Sequence, residues 1–231
     1  MKFLALMRKE LRESLPWMLL AAIFFLVFGG LAQRAMMPMY ARFYFTTFSP
    51  GSNVATYQLT KPSLLQPVGT LLFLTSIALG LMLGGRQFWV AHFTKTWGFM
   101  LHRSVSRQTI LAAKLTAAAV AFVICLGPVW LAFFWYACRL ELLAAPPPTI
   151  RVFIEGWIYI LLGFVVYLGT CLAGLSRVKW YTTKIFGLAF AVLILVTALA
   201  QWQPILAFAA IIAGILILLT QITDTFLNRE F

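Results

Sequence analysis

Thirty-nine consecutive residues, Ile185 to Thr223, carry no charge. At about 1.5 Å rise per residue, one helix of that length would be nearly twice as long as a ~30 Å hydrocarbon core is thick. Gln201-Trp202-Gln203-Pro204 interrupts the run with two amides, an interfacial aromatic and a proline, which predicts two helices joined by a tight turn. Four further uncharged runs cover Ser14 to Gln33, Pro62 to Gly85, Leu115 to Cys138 and Gly156 to Ser176. Each is long enough to cross a bilayer as a helix, which needs about 20 residues. The fold class expected is an all-α polytopic membrane protein of six transmembrane helices, at about 16–33, 66–85, 113–138, 153–176, 185–200 and 204–223.

Composition points the same way. Charged residues make up only 10% of the chain, against about 25% in soluble domains, which excludes a soluble enzyme. The hydrophobic content of 62% excludes disorder. A net charge of +12 would also suit a nucleic-acid binder, but the basic residues lie between long apolar runs and not on one polar domain. Pro16, Pro67 and Pro204 are each expected to open a span, where a missing N–H breaks no helical bond. Pro128 follows Gly127 inside the third span and should kink it, as a packing adjustment or as a hinge. The first run is too long for the roughly 7–15-residue core of a signal peptide, so it is expected to be retained. Cys125, Cys138 and Cys171 fall in spans and read as packing residues.

Lysine and arginine in the connections set the orientation. Lys2, Arg8, Lys9, Arg12, Arg86, Lys95, Arg103, Arg107, Lys114, Arg177, Lys179, Lys184 and Arg229 put 13 cations on one side. Arg34, Arg42, Lys61, Arg139 and Arg151 put 5 on the other. Both termini are therefore expected in the cytoplasm.

Missing motifs narrow the chemistry. No Gly-x-x-x-x-Gly-Lys-Ser/Thr loop occurs, so the chain carries no P-loop ATPase of its own. Neither His-Glu-x-x-His nor Gly-x-Ser-x-Gly is present, which disfavours metalloprotease and serine hydrolase chemistry. The six carboxylates, Glu10, Glu13, Glu141, Glu155, Asp224 and Glu230, are split between the two faces by this topology. No metal site or catalytic residue is expected. No ionisable group is expected deep in a span, where it would mark an ion or proton pathway.

Two cytoplasmic pieces carry specific patterns. On a helix over residues 1–15, Phe3, Leu4, Met7, Leu11 and Leu15 share one arc of about 120°, while Lys2, Lys9, Arg12 and Glu13 lie opposite. Such a helix would lie in the headgroup plane, touching membrane lipid, or serve simply as a charged anchor for the first span. The connection over 86–112, with its flank to Lys114, mixes basic residues with Phe88, Trp89, Phe93, Trp97, Phe99, Met100 and Leu101. That is more apolar surface than a solvated loop needs. It either packs on its own helices or docks in a groove of another protein.

Lys95-Thr96-Trp97-Gly98-Phe99-Met100-Leu101, then Val105-Ser106-Arg107, Ile110-Leu111 and Lys114, resembles the loop in permease subunits of type-2 ATP-binding-cassette exporters. The opening Leu6-Met7-Arg8-Lys9-Glu10-Leu11-Arg12-Glu13 resembles the amphipathic start of that family, and Phe226-Leu227-Asn228-Arg229-Glu230-Phe231 is similar to its usual ending. The chain departs from the pattern at Phe99, at Ser104 and in lacking an acidic residue just before Gly98. The resemblance implies a dimer with a second permease subunit, identical or homologous, in a bacterial cytoplasmic (inner) membrane. It implies two separate ATPase subunits that bind ATP and Mg, with no cofactor on this chain and no nucleic acid as partner. It also implies that Phe93, Lys95, Trp97, Gly98, Leu101, Arg103 and Arg107 contact the ATPase. Lys9, Glu10 and Arg12 would belong to the interfacial helix.

Small residues let helices approach closely. Gly80-x-x-x-Gly84 is expected at a subunit interface or along the pathway, with Gly169-x-x-x-Ala173 and Ala210-x-x-x-Gly214 as further candidates. The aromatic-rich external connection over 34–65 reads as an interfacial segment or a lid, and Ala145-Pro146-Pro147-Pro148-Thr149 as a stiff tether. The alternative to an exporter is a non-transporting membrane scaffold or assembly factor.

Overall fold

A computed structural model describes residues 2–47, 65–90, 94, 106–139, 149–175, 185–201 and 203–227, with side chains from residue 3 to 35 in the first of these stretches. Regular structure among them is entirely helical. Helix α1 spans Lys2–Thr47, α2 Gln66–Gly84, α3 Arg107–Arg139, α4 Ile150–Leu175, α5 Phe186–Ala200 and α6 Pro204–Leu227. A π-helical segment, Gly85–Val90, continues α2. Five of these helical stretches are long and apolar enough to cross a membrane, whereas α5 has only 15 residues. The chain is an all-helical, multi-pass membrane protein.

The punctuation between α5 and α6 behaves as its chemistry requires. The backbone leaves helical geometry at Gln201, with φ −77° and ψ 124°. Pro204 then begins α6. Pro67 likewise sits in the first turn of α2, and α3 runs unbroken through Pro128.

At α1 the structure departs from expectation. Residues 1–15 do not form a separate interfacial element, because one helix runs from Lys2 to Thr47 and passes Pro16 without a break. Pro16 and Arg12, whose carbonyl loses its helical partner, are both exposed. The orphaned acceptor therefore faces outward and not into the packed core, which makes it tolerable. The helix also continues beyond Gln33 into the stretch expected as an external connection, so its 46 residues extend about 70 Å. A length more than twice the hydrocarbon thickness puts only part of α1 within it.

Helix α4 is the axis of the bundle. In its most apolar stretch 83% of residues are buried, against 17% in α1. Glycines explain how so many helices reach it. A Cβ on Gly163 would lie 2.6 Å from the Ser76 carbonyl oxygen of α2, and one on Gly169 would lie 2.6 Å from the Gly187 carbonyl oxygen of α5. From the other side, a Cβ on Gly84 would lie 2.7 Å from Thr170 Cβ, and one on Gly80 would collide with the Gly163 carbonyl oxygen. Gly80 and Gly84, expected to serve a second subunit or a pathway, are therefore taken up by α4 of the same chain. Gly169 and Gly214 are spent likewise, on α5. Close approach lets the Ser76 hydroxyl donate to the Tyr159 carbonyl at 2.8 Å, an interhelical bond in apolar surroundings.

Gly80→Leu and Gly163→Leu place a side chain against backbone that cannot yield. Each is expected to destabilise the protein by about 3 kcal/mol or more, at or above the upper end of ordinary overpacking. Gly30→Ala, whose Cβ meets no heavy atom within 4 Å, should be neutral or stabilising by up to about 1 kcal/mol. Unfolding of the purified variants by SDS titration in mixed micelles measures both.

Candidate functional site

Alternation of the helices gathers one set of ends. The first turns of α1, the π segment, the start of α3, the end of α4, the start of α5 and the end of α6 meet there, as contacts between them demonstrate. Among the described side chains this end carries Arg8, Lys9, Arg12, Arg86, Arg107 and Lys114, whereas the opposite end carries Arg34, Arg139 and Arg151.

The stripe of α1 that faces α3 organises this end. Glu10, Ser14, Met18, Ala21, Phe25, Gly29 and Gln33 recur at intervals of three or four, which on a helix places them on one face. Met18 accepts the Cys125 thiol through its carbonyl at 2.9 Å. Phe25 meets Phe133 edge-on with ring centroids 5.5 Å apart. Glu10 is the polar terminus of that stripe. The Lys114 ammonium donates to Glu10 Oε1 at 2.7 Å, with the two side chains 5% and 12% exposed.

Lys114, expected merely to open the third span, is thus buried in the bundle, eight residues into α3. The Phe88 ring lies below its ammonium, 6.0 Å from nitrogen to centroid. Burying two charges is costly unless they pair, and the short contact provides that pairing. Around it, Glu13 reaches Lys9 at 3.7 Å and Arg86 at 3.8 Å. These outer pairs are more exposed and contribute about 0–1 kcal/mol each.

The π segment shapes the other wall. A π turn accommodates one more residue per turn than an α-helix and so redirects the side chains that follow. Here it buries Gln87 and Phe88. The Tyr167 hydroxyl of α4 donates to Gln87 Oε1 at 2.6 Å, fully buried. Trp89 lies against Gly174, where any Cβ would strike its indole, and its Nε1 is buried with no hydrogen-bond acceptor among the described residues. Sequence reasoning missed the Glu10–Lys114 and Tyr167–Gln87 pairs. A single carboxylate at a span's entry and a lysine at the edge of another were the only signals, and 104 residues separate them.

Of the expected ATPase contacts, only Arg107 lies within the described residues. It is the first residue of α3, exposed, and its Nη1 donates to the Leu227 carbonyl at 3.5 Å, a long bond that ties α3 to the end of α6. Phe93, Lys95, Trp97, Gly98, Leu101 and Arg103 lie outside the described residues. Lys9 and Arg12 are exposed on α1. Among the described residues no group of three metal-ligating side chains occurs. The buried Glu10–Lys114 pair is shielded by the helices that hold it, so the arrangement braces helices together.

Glu10→Leu and Lys114→Met each strand a buried charge and are expected to cost about 3–5 kcal/mol. The double variant Glu10→Leu/Lys114→Met should recover most of that loss, giving a coupling energy of several kcal/mol in a double-mutant cycle. Tyr167→Phe leaves Gln87 without its donor and should cost about 1–3 kcal/mol. The same SDS titration reads all four.

No protein-family model matches the chain, nor does any curated protein or solved structure.

Proposed function

We propose that this chain is the membrane-spanning permease subunit of an ATP-binding-cassette exporter. It works as a dimer with a second permease subunit, identical or homologous, in a bacterial cytoplasmic membrane, with both termini inside. Two separate ATPase subunits bind ATP and Mg and drive it through the connection between α2 and α3. This chain binds no cofactor and catalyses no reaction.

One observation carries the reading. The stretch from Ala91 to Val105, rich in aromatic and basic residues, is anchored at both flanks in one braced unit. On one side the π segment is fixed by Arg86–Glu13, Phe88 and Gln87–Tyr167; on the other, α3 is fixed by Lys114–Glu10 and Arg107–Leu227. A pull arriving at these flanks therefore reaches α1, α2, α3 and α4 together. Such bracing suits a lever moved by a partner. In this reading Phe93, Trp97 and Leu101 fill a groove on the ATPase, while Lys95, Arg103 and Arg107 set its register by charge. The excess of cations at the same end supports its placement in the cytoplasm.

Affinity purification of the full chain in mild detergent should bring down an ATPase subunit. Trp97→Ala and Arg103→Ala should cut ATP hydrolysis by the complex at least roughly tenfold, the scale of an interfacial anchor lost, while the melting temperature stays unchanged. A purified complex that contains no ATPase, taken from cells in which export is intact, would end the proposal. Labelling of a cysteine placed at position 97 only from the outer face would end it too.

A further inference from the structure

Beyond the Phe25–Phe133 contact a cleft of about 640 Å³ lies between α1 and α3, at the end of the bundle away from Glu10. This is within the range of roughly 300–1,000 Å³ usual for small-ligand sites. Its inner wall is apolar, with Leu26 and Phe133, and Gly30 forms part of its floor. A Cβ on Gly29 would press on the Phe133 ring at 2.9 Å, whereas one on Gly30 meets nothing within 4 Å. The space thus opens within one residue of tight packing.

Polar groups collect at one end only. Gln33 lines the cleft, is 3% exposed, and its Nε2 donor has no partner among the described residues. A buried amide donor of that kind is rare unless something satisfies it. Arg34 lines the same end and, among the described residues, makes no ion pair. The Arg139 guanidinium lies over the ring of Trp135, another lining residue, at 3.7 Å from the centroid. The one described carboxylate at this end, Glu155, is engaged by Arg151 at 3.0 Å. One cation, Arg34, and a starved amide donor therefore line one end of the cleft, a second cation stacks on its Trp135 wall, and the rest of the lining is mostly apolar.

We propose that the cleft holds one anionic phospholipid. Its phosphate accepts from Gln33 and Arg34 with Arg139 beside it, and one acyl chain lies along Leu26 and Phe133. Charge decides this occupant over a second protein copy, because an apolar helix seated here would cover Arg34 and leave the Gln33 amide unmet. A phospholipid of the same leaflet supplies an anion at headgroup depth and a hydrocarbon chain below it. Trp135 and Tyr136, both exposed, stand where interfacial aromatics flank headgroups. The inference is independent of the transport reading, since it needs neither an ATPase nor any particular orientation.

Native mass spectrometry of the full chain, delipidated in detergent and titrated with dioleoylphosphatidylglycerol or dioleoylphosphatidylcholine, tests it. The expected result is one tightly held molecule of the anionic lipid, preferred at least roughly tenfold, the scale of two cations meeting anionic lipid. Gly30→Leu, which fills the cleft from open space, and Gln33→Leu should each abolish that preference, while Gly30→Ala keeps it. Melting curves confirm that the variants are folded, and Arg34→Ala, an exposed position, gives the same loss without touching the packing. Equal retention of the two lipids overturns the proposal. So does unchanged binding in Gly30→Leu or Arg34→Ala, or a Gly30→Leu variant that loses a dimer yet keeps the lipid.

Discussion

Helices in a bilayer gain nothing from hiding apolar side chains from one another, since lipid is equally apolar, so they associate where their backbones can come close. In this chain that condition is met along α4. Gly163 admits α2, Gly169 admits α5, and Gly174 admits the indole of the π segment. Two neighbouring helices, one of them extended by the π segment, thus converge on one helix through positions that have no side chain to keep them apart. The rest of the bundle is built outward from this axis. Trp130 of α3 donates its indole N–H to the Phe153 carbonyl of α4 at 3.3 Å, and the hydroxyl of Tyr167 reaches Gln87.

Helix α1 stands apart from that logic. It is the most exposed of the described helices, and it packs on α3 along one stripe and on α2 beside it, with no part in the close approach to α4. At one end of the stripe the Glu10–Lys114 pair fixes both rotation and height, because an ion pair buried to this degree tolerates little displacement of either partner. At the other end, past Gly29, the two helices leave room between them, and the Gln33 amide nitrogen there has no partner among the described residues. One helix is therefore locked at the cation-rich end and loosely seated at the opposite one. In the exporter reading, the locked end is where force enters.

Some features were readable along the chain because they depend on neighbouring residues or on bilayer thickness. The break at Gln201 and the prolines in the first turns of α2 and α6, Pro67 and Pro204, are of this kind. Pro16 shows where the local rule stopped working. A proline beside an apolar run reads as a helix start, but the exposure of the carbonyl it orphans is a property of the packed bundle. Similarly, Gly80 and Gly84 were recognisable as a close-approach site, yet nothing in their spacing distinguishes a partner from the same chain from one in another.

What the amino-acid order determined by itself was the set of apolar runs and the excess of cations at alternate connections. Hydrocarbon thickness and the missing N–H of proline act on contiguous residues. Tertiary structure alone decided that α4 is the axis, that Lys114 is buried against Glu10, and that Gln33 turns its amide into a cleft. Each of those outcomes requires segments far apart in the chain to meet: Glu10 and Lys114 are 104 residues apart, and Gln87 and Tyr167 80. Such meetings are selected by which helix backbones fit together, and no local periodicity encodes that choice.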